Sequence, residues 1–88
     1  MATYNYNEIA KRTRNAYNYS KGHRQFEVVL IQYDNFFVTF DDDAKTIMTE
    51  ASDFVKHYED NFAVVLSSNL GKVVQRLIFK TACNVHIV

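Results

Sequence analysis

The amino-acid sequence predicts an α+β fold, a small single-layer sheet of about four strands packed with two or three helices in the order αββαβαβ. Three observations predict it. Apolar residues recur at helical spacing in three stretches of the chain. Between them lie four short runs of β-branched and aromatic residues, the types that suit a pleated surface. No linker, repeat or low-complexity stretch separates the two kinds of segment, so residues 1–88 read as a single folded domain, Met1 to Thr3 aside. Hydrophobic residues make up 48% of the chain and aromatics 15%, enough to give a domain of this size a core despite its unfavourable surface-to-volume ratio.

The first helix is predicted from Asn5 to Lys21. Asn5 and Glu8 have the spacing of a capping box. Tyr6, Ile9, Ala10, Thr13, Ala16 and Tyr17 form a thin apolar stripe, while Lys11, Arg12, Arg14 and Asn18 fall outside it. Lys21 suits the C-terminal dipole and Gly22 the left-handed position after the helix. A hairpin follows, with strands 26–33 and 36–40 joined at Asp34-Asn35. That turn sets Tyr33 opposite Phe36, Ile31 opposite Val38 and Val29 opposite Phe40 on one face. Phe26, Val28, Leu30 and Phe37 share the other. Both faces are apolar, so either helices cover both or one is an interface.

Asp41, Asp42 and Asp43 then offer an N-cap to a helix carried by Ala44, Ile47, Met48, Ala51, Phe54, Val55 and Tyr58, with a stop at Asn61. Residues 62–66 (FAVVL) read as a buried strand. Leu70, Val73, Val74, Leu77, Ile78 and Ala82 repeat at helical spacing over 69–82, and 84–88 closes as a strand. The last three elements have the form of a tight βαβ unit.

A single cysteine, Cys83, excludes an internal disulfide. The N-terminal MATYNYNEIAKRTR lacks the apolar stretch of a secretory signal, and no apolar run approaches the roughly 18 residues of a membrane span. The expected setting is the reducing cytoplasm, with no membrane partner.

The formal net charge is zero, but the charge is segregated. Residues 1–24 carry five cations against Glu8; residues 25–62 carry nine acids against Lys45 and Lys56; residues 63–88 carry Lys72, Arg76 and Lys80. The three segments are therefore about +4, −7 and +3. Lys11, Arg12, Arg14, Lys21 and Arg24, with Tyr17 and Tyr19 beside them, suit phosphates and bases, although no nucleic-acid motif accompanies them. The acidic set Asp41, Asp42, Asp43, Glu50, Asp53, Glu59 and Asp60 suits a basic groove on a partner, or serves as caps and a wet helix face.

Other constellations are thinner. Glu50, Asp53 and His57 would share one side of the predicted helix, yet their spacing matches no established metal motif, and Asp53 with His57 reads equally as a surface pair. Cys83 with His86 lacks an orienting third group. Residues 67–72 (SSNLGK) place anion-friendly types at a helix start but are not a P-loop. No catalytic site, cofactor or metal is expected.

The function the sequence predicts is a non-enzymatic protein-interaction module, in a homodimer or alone, that covers a surface of a larger and even nucleic-acid-processing partner as an inhibitor or regulator. Short, aromatic-rich and motif-free, the chain has a composition of the phage or mobile-element kind. The contact residues expected are Arg14, Tyr17, Tyr19 and Arg24, or the acidic Asp42, Asp43, Glu50 and Asp53. The alternative is a nucleic-acid-binding protein using Lys11, Arg12, Arg14, Lys21 and Arg24; a small metal-dependent nuclease built on Asp53 and His57 comes third.

Overall fold

The computed structural model describes residues 5–88, so Met1 to Thr3 lie outside the described residues. The protein is α+β, with three helices and a five-stranded mixed sheet. The elements are α1 (Tyr6–His23), β1 (Val28–Tyr33), β2 (Phe36–Phe40), α2 (Asp41–Ala51), β3 (Val55–Glu59), β4 (Phe62–Leu66), α3 (Leu70–Thr81) and β5 (Val85–Ile87). The spatial strand order is β3-β4-β2-β1-β5. All neighbours are antiparallel except β1 and β5.

The largest correction to the sequence reading is the helix predicted over 44–58. It ends at Ala51, and Val55–Glu59 is a strand, so the order is αββαββαβ. The cause is β4. Phe62 to Val65 are buried, and a buried strand needs a hydrogen-bonding partner along each side. Strand β2 serves one side, and β3 folds back to serve the other. Asp60 and Asn61 make that reversal at φ 52° and 60°, a left-handed pair that Asp and Asn tolerate. Asn61 is thus a hairpin residue and not a helix stop.

Helices cover both faces of the sheet, so the predicted single layer is the middle one of three. On one face α1 packs Ile9 and Tyr17 against Val29, Ile31, Phe36, Val38, Phe40 and Val64. On the other, Ile47 and Ala51 of α2 and Val73 and Leu77 of α3 pack against Val28, Leu30, Phe37 and Val65. Helix α2 lies over β2, β3 and β4, with α3 beside it toward β1 and β5. The double-sided apolar hairpin is explained by this sandwich. The last βαβ unit is not a tight one: β4 and β5 run the same way, but β2 and β1 lie between them.

Smaller departures have local causes. Asn5 caps α1, its Oδ1 accepting from the Glu8 amide at 3.1 Å. Glu8 does not reciprocate; its carboxylate takes Arg12. Gly22 lies inside α1 without a positive φ, and the helix ends where the Arg24 amide donates to the Lys21 carbonyl. The hairpin pairs Tyr33 with Phe36 and Ile31 with Val38, as its turn predicts, but the ladder stops short of Val29 and Phe40. Phe26 precedes β1 and is exposed, as are Ala16, Met48, Ile78 and Ala82 from the predicted stripes.

Candidate functional site

The three aspartates do not form a helix cap. Asp41 turns the chain sharply out of β2 at φ 55°, and its amide donates to the Asn61 carbonyl at 2.8 Å. No side chain caps α2. The carboxylates diverge. Asp41 takes both terminal nitrogens of Arg14, at 3.2 and 2.8 Å. Asp42 is exposed. Asp43 is buried where the β1–β2 ladder ends, and accepts three bonds: Tyr17 Oη at 2.8 Å, Lys21 Nζ at 3.0 Å and the Val29 amide at 3.1 Å. The Val29 amide thus donates to this carboxylate at the strand position where pairing with Phe40 would have continued.

This placement decides much of the predicted site. Tyr17 and Asp43 are internal and bonded to each other, so neither presents a surface to a partner. Arg14 lies over the Phe40 ring at 4.8 Å while paired with Asp41. Arg12 pairs with Glu8 at 3.0 Å and Arg24 with Glu27 at 3.1 Å. Of the five predicted phosphate-binding cations, only Lys11 has no acidic partner among the described residues. Lys21 is part-buried and also donates to the Glu27 carbonyl at 2.6 Å. Three cations of the positive first segment therefore pair with acids of the negative middle segment, which keeps most of its own charge. Tyr19 is exposed and leans on the His23 ring at 4.8 Å. Asp53 is exposed in the turn Ser52–Phe54, and half-buried Glu50 accepts from Arg76 through its main-chain carbonyl.

The network at Asp43 has a titration signature. Burial, and next the hydrogen bond to Asp43, hold the Tyr17 phenol well above the usual tyrosine range. The folded chain therefore binds that proton more tightly than the unfolded chain, whose tyrosines titrate near ~10. The stabilisation is fully present below pH ~10 and is lost above it, by up to about 1.4 kcal/mol per pH unit. Tyr17→Phe is expected to abolish this slope and to cost about 2 kcal/mol at neutral pH, since the lost bond is to an ionised acceptor. Urea unfolding at pH 7 and across pH 10–11.5 checks both.

Glu50, Asp53 and His57 do not share a helix face. They lie on α2, in a turn and on β3, and no group of three His, Cys, Asp or Glu among the described residues could hold a metal ion. His57 stacks on Tyr6 with centroids 4.1 Å apart and rings 9° from parallel. It belongs to a cleft of about 390 Å³ between α1 and the β3–β4 hairpin, floored by Phe40 and Phe62, with Lys11 and Arg14 on one wall and Glu59 and Asp60 on the other. Cys83 is half-buried against the core below α3, and His86 is half-buried on β5. Residues 67–69 form a turn before α3, and no side chain caps that helix.

The feature that sequence reasoning missed is at the other end of the sheet. Among the described residues strand β5 is an edge strand, bonded to β1 alone. Asn84 and Val88 direct their backbone groups at β1: the Val28 amide donates to the Asn84 carbonyl, and the Val88 amide to the Leu30 carbonyl, each at 2.9 Å. By strand alternation His86 does the same, and Val85 and Ile87 turn their N–H and C=O groups outward. Exposed apolar side chains occur on β5 and on the elements that precede β1 and β5 in the chain. Phe26 is 93% exposed just before β1, Phe79 is 81% exposed near the end of α3, and Ile87 on β5 itself is 43% exposed. Residues 81–88 carry no formal charge. The opposite edge differs: β3 carries Lys56 and Glu59 and has a register shift between Val55 and His57. Charges and bulges of that kind keep an edge from pairing; β5 has neither, and its only protection is its length of three residues.

The described residues therefore form a small three-layer α+β domain with one sheet edge that carries charges and a register shift and one that carries neither. Comparison with protein-family models, with curated proteins and with solved structures gives no match. Among the described residues no helix is long and apolar enough to cross a membrane.

Proposed function

We propose that this chain is a non-catalytic protein-interaction module that receives an extended strand of its partner on the free edge of β5. The observation that carries the reading is the contrast between the two edges. Main-chain bonds to Val85 and Ile87 supply affinity in this mode, and the exposed Ile87 side chain supplies apolar contact on the edge itself. The pairing of Arg12, Arg14, Lys21 and Arg24 with carboxylates favours a protein over nucleic acid as the partner of the first segment, because among the described residues Lys11 alone of its cations is left without a carboxylate.

The test is site-specific photo-crosslinking in cells. A photoreactive residue replacing Ile87 is expected to give a discrete covalent protein adduct, and the same residue replacing Lys56 on β3 is expected to give none. Equal labelling from both edges, or none from position 87, sinks the reading.

A further inference from the structure

Resting on that reading, we infer that the strand received by β5 is the β5 strand of a second copy of this chain, giving a two-fold dimer with a continuous ten-stranded sheet. Three features point to a copy. First, the outward backbone groups are self-complementary. In an antiparallel pair centred on His86, Val85 meets Ile87 of the second copy and Ile87 meets its Val85, and each such pair exchanges two main-chain bonds. All four outward N–H groups and all four outward C=O groups of the two strands are then satisfied.

Second, the side chains fit the same symmetry. Val85 packs into the core beneath α2 and α3, so its side chain and that of Ile87 lie on the α3 face of the sheet. Residues paired across strands share a face, so Ile87 of each copy comes to lie beside Val85 of the other, at the α3 side. Ile78 is exposed on α3, on the flank opposite Arg76, whose guanidinium reaches Glu50 of α2.

Third, the charge suits a copy. An isologous contact sets each group against the same surface on its partner, so any net charge in it is met by like charge. The side chains of residues 81–88 hold none, and Arg24 is already paired with Glu27. A partner chosen by electrostatic complementarity would find no handle here.

The experiment is solution mass by sedimentation on the full chain from about 1 to 200 µM, with two variants. Wild type is expected to form a concentration-dependent dimer of twice the 10.3 kDa chain. Ile87→Lys sets two cations against the symmetric contact and is expected to weaken the dimer at least tenfold; its position is partly exposed, and circular dichroism verifies the fold. His86→Cys, in a Cys83→Ala background, places two thiols directly across the two-fold and is expected to give a disulfide-linked dimer under mild oxidation. Asn84→Cys, which faces Val88 of the other copy, is expected to do so far less. A wild-type monomer throughout the range overturns the inference, as does a dimer that resists Ile87→Lys and yields no His86→Cys disulfide. If the protein is monomeric but a photoreactive residue at position 87 captures a different protein, the second copy is wrong and the docking edge stands. If position 87 captures nothing, the edge itself is wrong.

Discussion

Replacing Asp43 by alanine is expected to lower the unfolding free energy by about 3–5 kcal/mol, because it leaves buried donors without an acceptor. The carboxylate accepts from Tyr17, Lys21 and the Val29 amide. Helices α1 and α2 lie on opposite faces of the sheet, and this side chain joins them around the end of the β1–β2 ladder. Lys21 is partly exposed and can return to water, so most of the cost falls on the phenol and the amide. Domains of this size hold only about 4–13 kcal/mol in total, so the alanine variant stands near the threshold of folding. Asp43→Asn keeps the shape and one acceptor oxygen, and is expected to cost about 2 kcal/mol. Asp42→Ala, one residue away on an exposed side chain, is expected to stay within about 0.5 kcal/mol. Urea midpoints for the three variants check the order.

Phe40→Ala is expected to cost about 4 kcal/mol, through lost transfer energy and the cavity left behind. The ring is the hub of the α1 face. It lies 5.2 Å from the Tyr17 ring and 5.0 Å from Phe62, its cross-strand partner, and Arg14 covers it at 4.8 Å. Phe40→Leu retains most of the volume and is expected to cost under about 1.5 kcal/mol. The Arg14–Asp41 ion pair above the ring is exposed and contributes at most about 1 kcal/mol. Thermal unfolding of Phe40→Ala, Phe40→Leu and Arg14→Ala separates ring from charge: the alanine at 40 should fall far below the other two.

How far the sequence was legible depends on how local each signal was. The Asn5 cap, the hairpin register at Tyr33 and Ile31, and the buried run 62–66 rest on neighbours within a few residues, and the structure has all three. Val55 to Glu59 went wrong because apolar groups at 54, 55 and 58 satisfy a helical period as well as a strand. What decided between them was the unpaired side of β4, several residues further on. The signal that could have shown it was Asp60-Asn61, the same dipeptide as the turn Asp34-Asn35. The ion pairs were hidden for a related reason. Arg14 and Asp41 are 27 residues apart, and Tyr17 and Asp43 are 26 apart, so charge segregation along the chain resembled two binding faces. In space those segments are each other's partners.

By itself the sequence determined the α+β class, the apolar double face of the hairpin and the absence of charge in residues 81–88. Only the tertiary structure decided that Tyr17 and Asp43 are internal, that α1 is largely neutralised, and that β5 is an edge with neither charge nor bulge. Periodicity and turn chemistry act between residues close in the chain, whereas strand order and ion pairing are settled by whichever distant segment satisfies a buried donor or an open backbone edge.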